Sequence, residues 1–289
     1  MSDEGVVRTL FRDRAARAGA IIVAALVLFA VFAPWLSSSA PNASDFAGGI
    51  AEDGAPIGLS RAHWLGTDHV FRDELSRLAH GARLSLAIAV FATLISSTIG
   101  ATVGIVAGWF AGTRAGWLDA VLMRAVDVML SFPYLLLVMA IGAALDRTSV
   151  ATVLLVLGLT SWLGTARLVR AKTLQVRELG FVEAARALGQ RTPRILFSHV
   201  LPNVAGPLIV VSTVSLSGMI LAEAVLSYLQ VGVQPPTATW GRMLYEGQYA
   251  VTLRPRLVIA PGVCILLSVL GFNLLGDGLR DLLDPRRAR

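Results

Sequence analysis

Long uncharged apolar runs alternate with short polar segments along the chain, and the runs predict six membrane-crossing helices. They cover 18–36, 84–113, roughly 119–145, 148–166, about 204–229 and 257–276. Each is close to, or beyond, the ~20 residues that a helix needs to cross a bilayer. The expected fold class is an all-α integral membrane protein with six transmembrane helices. A polar N-terminal segment at 1–17 and a tail at 278–289 flank them, and a five-helix core at 84–277 follows the first span. The first run resembles a signal peptide, with Arg8, Arg12, Arg14 and Arg17 before it. Its length marks it instead as a retained span.

Charge orients the bundle. With both termini and the 167–203 segment on one side, that side carries 17 of the 25 Lys and Arg residues, which the positive-inside rule makes cytoplasmic. The 37–83 segment then faces outward, with a short surface helix at 73–80, as do a turn at Asp146 and Arg147 and the 230–256 segment with its Trp240-Gly241 turn.

Within the spans, Gly100, Gly104 and Gly108 recur every four residues and offer a face for close helix packing. Pro133 should bend span three. Arg124 and Asp127, three residues apart near the cytoplasmic end, read as a structural ion pair. Glu223, in the outer part of span five, is either a carboxylate bonded to neighbouring helices or a group lining a polar path.

The 167–203 segment is patterned as a passive connector need not be. It gathers Arg167, Arg170, Lys172, Arg177, Arg186, Arg191 and Arg194 against Glu178 and Glu183. Phe181, Ala185 and Leu188 fall at i, i+4 and i+7, one apolar helical stripe. Gly189 should end that helix at positive φ. Thr192 and Pro193 should start a second as cap and first residue, and Pro202 should limit it. A stripe held outside the membrane needs lipid or a protein groove to cover it. Ala184, Ala185 and Ala187 favour a groove, because small residues permit close approach.

Composition excludes most alternatives. The chain has 289 residues, 55% of them hydrophobic and only 15% charged, with mean hydropathy +0.68, against roughly a quarter charged in soluble proteins. A net charge of +6 could attract nucleic acid, but the arginines sit beside apolar runs, so membrane topology explains them. The lone cysteine, Cys264, permits neither an intrachain disulfide nor a cysteine metal cluster. The only lysine, Lys172, follows Ala171, so no phosphate-binding loop exists, and HExxH and GxSxG are absent. His63, His69, His80 and His199 do not pair at metal-ligand spacing on one helix. His199 reads as a helix-surface hydrogen-bonding residue.

Five blocks in order carry a family resemblance. They are GTDHVFRDELSRLAHGARLSL at 66–86, MRAVDVMLSFPYLLL at 123–137, EAARALGQRTPRILFSHVLPN at 183–203, LAEAVLSYLQVGVQPPTATWGRML at 221–244 and FNLLGDGLRDLLDP at 272–285. Together they resemble the ABC importer permeases of the dipeptide, oligopeptide and nickel family, nearest the C-type subunit. The third block is similar to the EAA loop of such permeases. The resemblance implies a type I importer fold in a bacterial inner membrane and a non-catalytic subunit forming half of a path for di- or oligopeptides. It further implies a second, B-type permease as partner, two ATPase subunits that bind ATP and Mg, and an extracytoplasmic binding protein. Phe181, Glu183, Ala184, Ala185, Arg186, Leu188 and Gly189 would then contact an ATPase as a coupling helix. Phe71 stands where the family usually has Gly, and His199 where the broad EAA pattern has an aliphatic residue. An ion-gradient-driven secondary transporter is the alternative, with Glu223 its sole deep ionisable group; a nickel or other small-solute importer is another.

Overall fold

The computed structural model describes residues 13–37, 39–52, 54–145 and 149–283. Arg8, Arg12, the Asp146-Arg147 turn and the end of the tail lie outside the described residues. Five helices among these are long and apolar enough to cross a membrane, or six if one sharply bent pair counts as a single span. No strand occurs among them, only isolated bridges.

The first span is α1 (Arg14–Val31), capped by the Asp13 carboxylate, which accepts from the Ala15 and Ala16 amides. The chain breaks at Phe32, and the four-residue α2 (Ala33–Leu36) carries Pro34 in its first turn. Gly19 lets α1 approach α11 (Arg256–Leu283), since a Cβ there would lie 2.7 Å from the Gly271 carbonyl oxygen.

The expected surface helix at 73–80 and the second span are one unbroken 37-residue helix, α3 (Glu74–Phe110). At 1.5 Å per residue it is about 55 Å long. Asp73 caps it by accepting from the Ser76 amide at 2.7 Å. Charged residues do not themselves break a helix, and those of the first turns are covered by the preceding loop. Gly100, Gly104 and Gly108 bear out the packing face. A Cβ on them would lie 2.6–2.7 Å from Thr165, Ala166 and Thr173 of α7 (Leu163–Arg177).

Span three breaks more sharply than a proline bend. α4 (Trp117–Leu130) and α5 (Tyr134–Ala144) meet at 90°, where Pro133 has no amide hydrogen to continue the ladder. α6 (Val150–Thr160) and α7 together form a 28-residue span reaching Arg177, so the expected loop boundary at 167 moves eleven residues on. The reason is electrostatic: Arg167 and Arg170 stay helical while reaching back to acids on α4.

After α8 (Gly180–Ala187) the chain enters α9 (Thr192–Tyr228), again 37 residues. Arg191, not Thr192, takes the cap position, and Pro193 is in the first turn. Pro202 does not limit the helix. A π-turn at Leu196–Val200 precedes it, and the wider turn accommodates a ring that an ideal α-helix would push against a carbonyl. The Trp240-Gly241 pair opens a helix, α10 (Trp240–Gly247), instead of a turn. Gly241 is required there because a Cβ would lie 2.4 Å from the Ala224 carbonyl oxygen.

Candidate functional site

The end of the bundle where α3 and α7 finish holds the patterned segment. α8 leaves α7 through Glu178 and Leu179 and ends at Gly189, whose φ of +73° matches expectation. Its closing hydrogen bonds form a Schellman motif: the Gly189 amide donates to the Arg186 carbonyl and the Gln190 amide to that of Ala185. No atom lies within 4 Å of a Cβ at Gly189, so backbone conformation alone demands glycine there.

α8 has two apolar faces. Val182 and Ala185 turn inward, onto a cluster with Trp109, Val169, Val176, Ile195, Val200 and Val204. Phe181, Ala184 and Leu188 turn outward at i, i+3 and i+7, and Leu188 is 81% exposed. The expected stripe of Phe181, Ala185 and Leu188 is therefore corrected in one member. Val182 and Ala185 fill the interior position together, which leaves Ala184 for the outer face. Glu183 is exposed beside that face. Arg186 folds back over Trp109, its guanidinium carbon 4.3 Å from the ring centroid. The His199 ring meets Phe181, with centroids 6.0 Å apart.

Arginines of α7 brace the same end. Arg177 Nη1 donates to the carbonyls of Gly108, Trp109 and Ala111 at 3.0, 3.3 and 2.6 Å, satisfying acceptors that the end of α3 leaves open. Arg170 forms a two-toothed pair with Asp119 at 2.5 and 2.7 Å. Asp127 pairs with Arg167 of α7, not with Arg124 as the three-residue spacing implied. A carboxylate on the α7 side of α4 meets the guanidinium of the adjoining helix, while Arg124 is exposed and forms no ion pair among the described residues.

Of the two readings of Glu223, the structure supports the bonded carboxylate. It is 0% exposed and accepts from the hydroxyls of Ser85 at 3.0 Å and Ser227 at 2.8 Å.

Matches to known proteins agree with this layout. Residues 104–289 match the model of the binding-protein-dependent transport system inner membrane component. The chain belongs to that family. Residues 4–50 of the permease also match the N-terminal transmembrane domain of oligopeptide transport permease C. It is 40% identical over 280 residues to the glutathione transport system permease protein GsiD of Escherichia coli O6:K15:H31 (strain 536 / UPEC), covering 96% of this chain and 89% of the relative. The GsiD protein of Salmonella paratyphi A (strain ATCC 9150 / SARB42) is 43% identical over the same shares. In three dimensions the permease is similar to a chain of the inward-facing MetNI methionine ABC transporter, with TM-score 0.56 at 20% identity, covering 71% of this chain and 95% of that one. It is thus a C-type, non-catalytic ABC importer subunit, which sets aside the secondary-transporter reading.

The opposite end of the permease holds a site that the sequence did not reveal. Residues 39–52 and 54–73 wrap the start of α3, and Arg72, Arg77 and Arg242 converge on Glu246. Arg72 Nη2 donates to Glu246 Oε2 at 2.7 Å, Arg77 Nη2 to the same oxygen at 2.8 Å, and Arg242 Nε to Oε1 at 3.0 Å. Asp68 accepts from Arg72 Nε at 2.6 Å. All five side chains are buried. Asp68, His69 and Glu246 bring possible metal-ligand atoms within 4.8 Å of one another, yet both carboxylates are already engaged by guanidinium groups. Sequence spacing could not find this knot, because its halves lie more than 160 residues apart; Asp68, Arg72, Arg77 and Arg242 fall inside two of the family blocks, and Glu246 lies two residues past the second of these.

Beside the knot, His63 is 2% exposed and lies between two carboxylates. Its Nδ1 is 2.8 Å from Asp73 and its Nε2 3.2 Å from Asp45. Two acceptors at two ring nitrogens call for the imidazolium form. Burial pulls the His63 pKa down, but the bonds to Asp73 and Asp45 outweigh it and hold it above the ordinary value. Asp45 is held below the ordinary carboxylate value by the Gly48 amide and then by His63.

Proposed function

We propose that the permease supplies half of an import path for glutathione or a related short peptide, and that α8 seats in a groove of a separate ATPase subunit. The relatives named as glutathione permeases support the substrate; the outward stripe of Phe181, Ala184 and Leu188 carries the docking. An apolar ridge on a helix already anchored by its other face is built to be covered by another protein. Glu183 stands beside the ridge for charge-assisted bonds to that groove, and Gly189 sets the angle between α8 and α9. A second permease completes the path, an extracytoplasmic binding protein delivers the solute, and ATP with Mg is bound by the ATPases. The charge bias puts α8 and both chain ends in the cytoplasm, and hence the Glu246 knot outside, in an inner membrane.

Gly189→Asp and Glu183→Lys should each leave the permease in the membrane while abolishing uptake and transport-stimulated ATP hydrolysis. Wild-type uptake in either variant removes the coupling role. Calorimetry of the partner binding protein should show heat with glutathione or a short peptide; heat with nickel alone overturns the peptide reading.

A further inference from the structure

The inner end of α3 is gripped from two directions. Arg177 of α7 holds its last carbonyls, and Arg186 of α8 lies on the ring of Trp109, one residue before the helix ends. Between these grips the buried face of α8, Val182 and Ala185, packs in the same cluster as Trp109. Arg186 therefore spends its guanidinium on a neighbour within the chain, although it is exposed and close to the docking ridge.

What α8 grips is a rod. α3 runs without a break from Phe110 to Glu74, and no proline interrupts it. At its far end Arg77 joins Arg72 on Glu246. Along the rod, the glycine seam brings α3 onto the backbone of α7, so the two helices move together. A stiff element held at both ends transmits a displacement applied to either one.

We propose that Arg177, Arg186 and Trp109 are positioning residues that fasten α8 to α3, and that α3 carries the displacement of α8 to the Glu246 knot on the outer face. This rests on the docking of α8 to an ATPase. A displacement applied at either end of α3 is then felt at the other.

The test uses the full complex, with its partner permease, ATPases and binding protein, reconstituted in liposomes. Ala184→Cys in a Cys264→Ala background reports docking through a crosslink to the ATPase. ATP hydrolysis with and without externally added, glutathione-loaded binding protein reports transmission. Arg186→Gln should keep the crosslink and lower the stimulation by the binding protein about two- to fivefold, the scale of an exposed cation–π contact. Arg186→Lys, which keeps a cation over the ring, should restore most of it. Unchanged stimulation in Arg186→Gln overturns the proposal, as does a loss in Arg186→Lys equal to that in Arg186→Gln. A crosslink lost only in the variant also overturns it, because Arg186 would then serve docking. A crosslink absent from the parent complex strikes instead at the docking of α8 itself.

Discussion

Arg77, one turn into α3, donates to Glu246 at the end of α10 across 2.8 Å, although 169 residues separate the two in sequence. The contact ties the start of one of the two 37-residue helices to the helix before the last one. Glu246 also receives Arg72 and Arg242, so one carboxylate holds three buried cations.

Glu246→Ala would leave Arg242 buried without an ion-pair partner and Arg72 and Arg77 sharing Asp68 alone, and breaking a buried pair from one side costs about 3–5 kcal/mol. Thermal unfolding in detergent should show a large fall in melting temperature for Glu246→Ala. A melting temperature within a degree or so of wild type, on the scale of small surface effects, would mean that the knot contributes nothing to stability.

Phe71 has φ of +65°, a conformation that glycine adopts freely and that costs other L-residues roughly 1–2 kcal/mol. The structure thus explains the glycine usual at this position in the family. Phe71 keeps its place partly through an edge contact with Phe46, with centroids 5.7 Å apart. Phe71→Gly and Phe71→Ala both lose that contact, so their difference isolates the backbone. Phe71→Gly should be the more stable by about 1 kcal/mol in denaturant or thermal unfolding, and equal stabilities would contradict the strain.

The His63 clamp makes the 39–73 loop sensitive to pH. His63 has a folded-state pKa above its ordinary 6.5, so its contribution is fully present below 6.5 and is lost as pH rises through the raised value. Asp45, held below its ordinary 3.8, contributes above 3.8 and loses that contribution as pH falls through the lowered value. The clamp is therefore complete between about pH 4 and 6.5. Melting temperatures of wild type and His63→Gln should differ most in that window and converge toward pH 9. A difference that grows with alkalinity would contradict the imidazolium assignment.

Gly104 faces the Ala166 carbonyl oxygen, 2.6 Å from where a Cβ would lie. Gly104→Val should force α3 away from α7 and cost at least the 1–3 kcal/mol typical of overpacking. Gly164, with nothing within 4 Å of a Cβ, should accept Ala without loss. Equal tolerance of both changes in unfolding assays would show that the seam is not close-packed.

The apolar runs made most of the bundle readable from sequence, because a helix in lipid must be long, apolar and internally hydrogen-bonded. Gly100, Gly104, Gly108 and Gly189 were readable for the same kind of reason, each meeting a local demand for space or for positive φ. The face of α8 was only partly readable. Phe181, Ala184 and Leu188 share one helical stripe and Val182 and Ala185 another, and only packing decides which looks inward. The partner of Asp127 and the Glu246 knot were hidden because they form across helices, where sequence spacing carries no distance. Pro202 misled because a π-turn can absorb a proline that an α-helix cannot.

The most direct test of the coupling reading is site-specific photocrosslinking from Leu188, 81% exposed on the α8 ridge, in the complex expressed with its partner subunits. The expected product joins the permease to the ATPase subunit and disappears when the ATPase is omitted. A crosslink formed only with lipid, or only with the externally added binding protein, would contradict it.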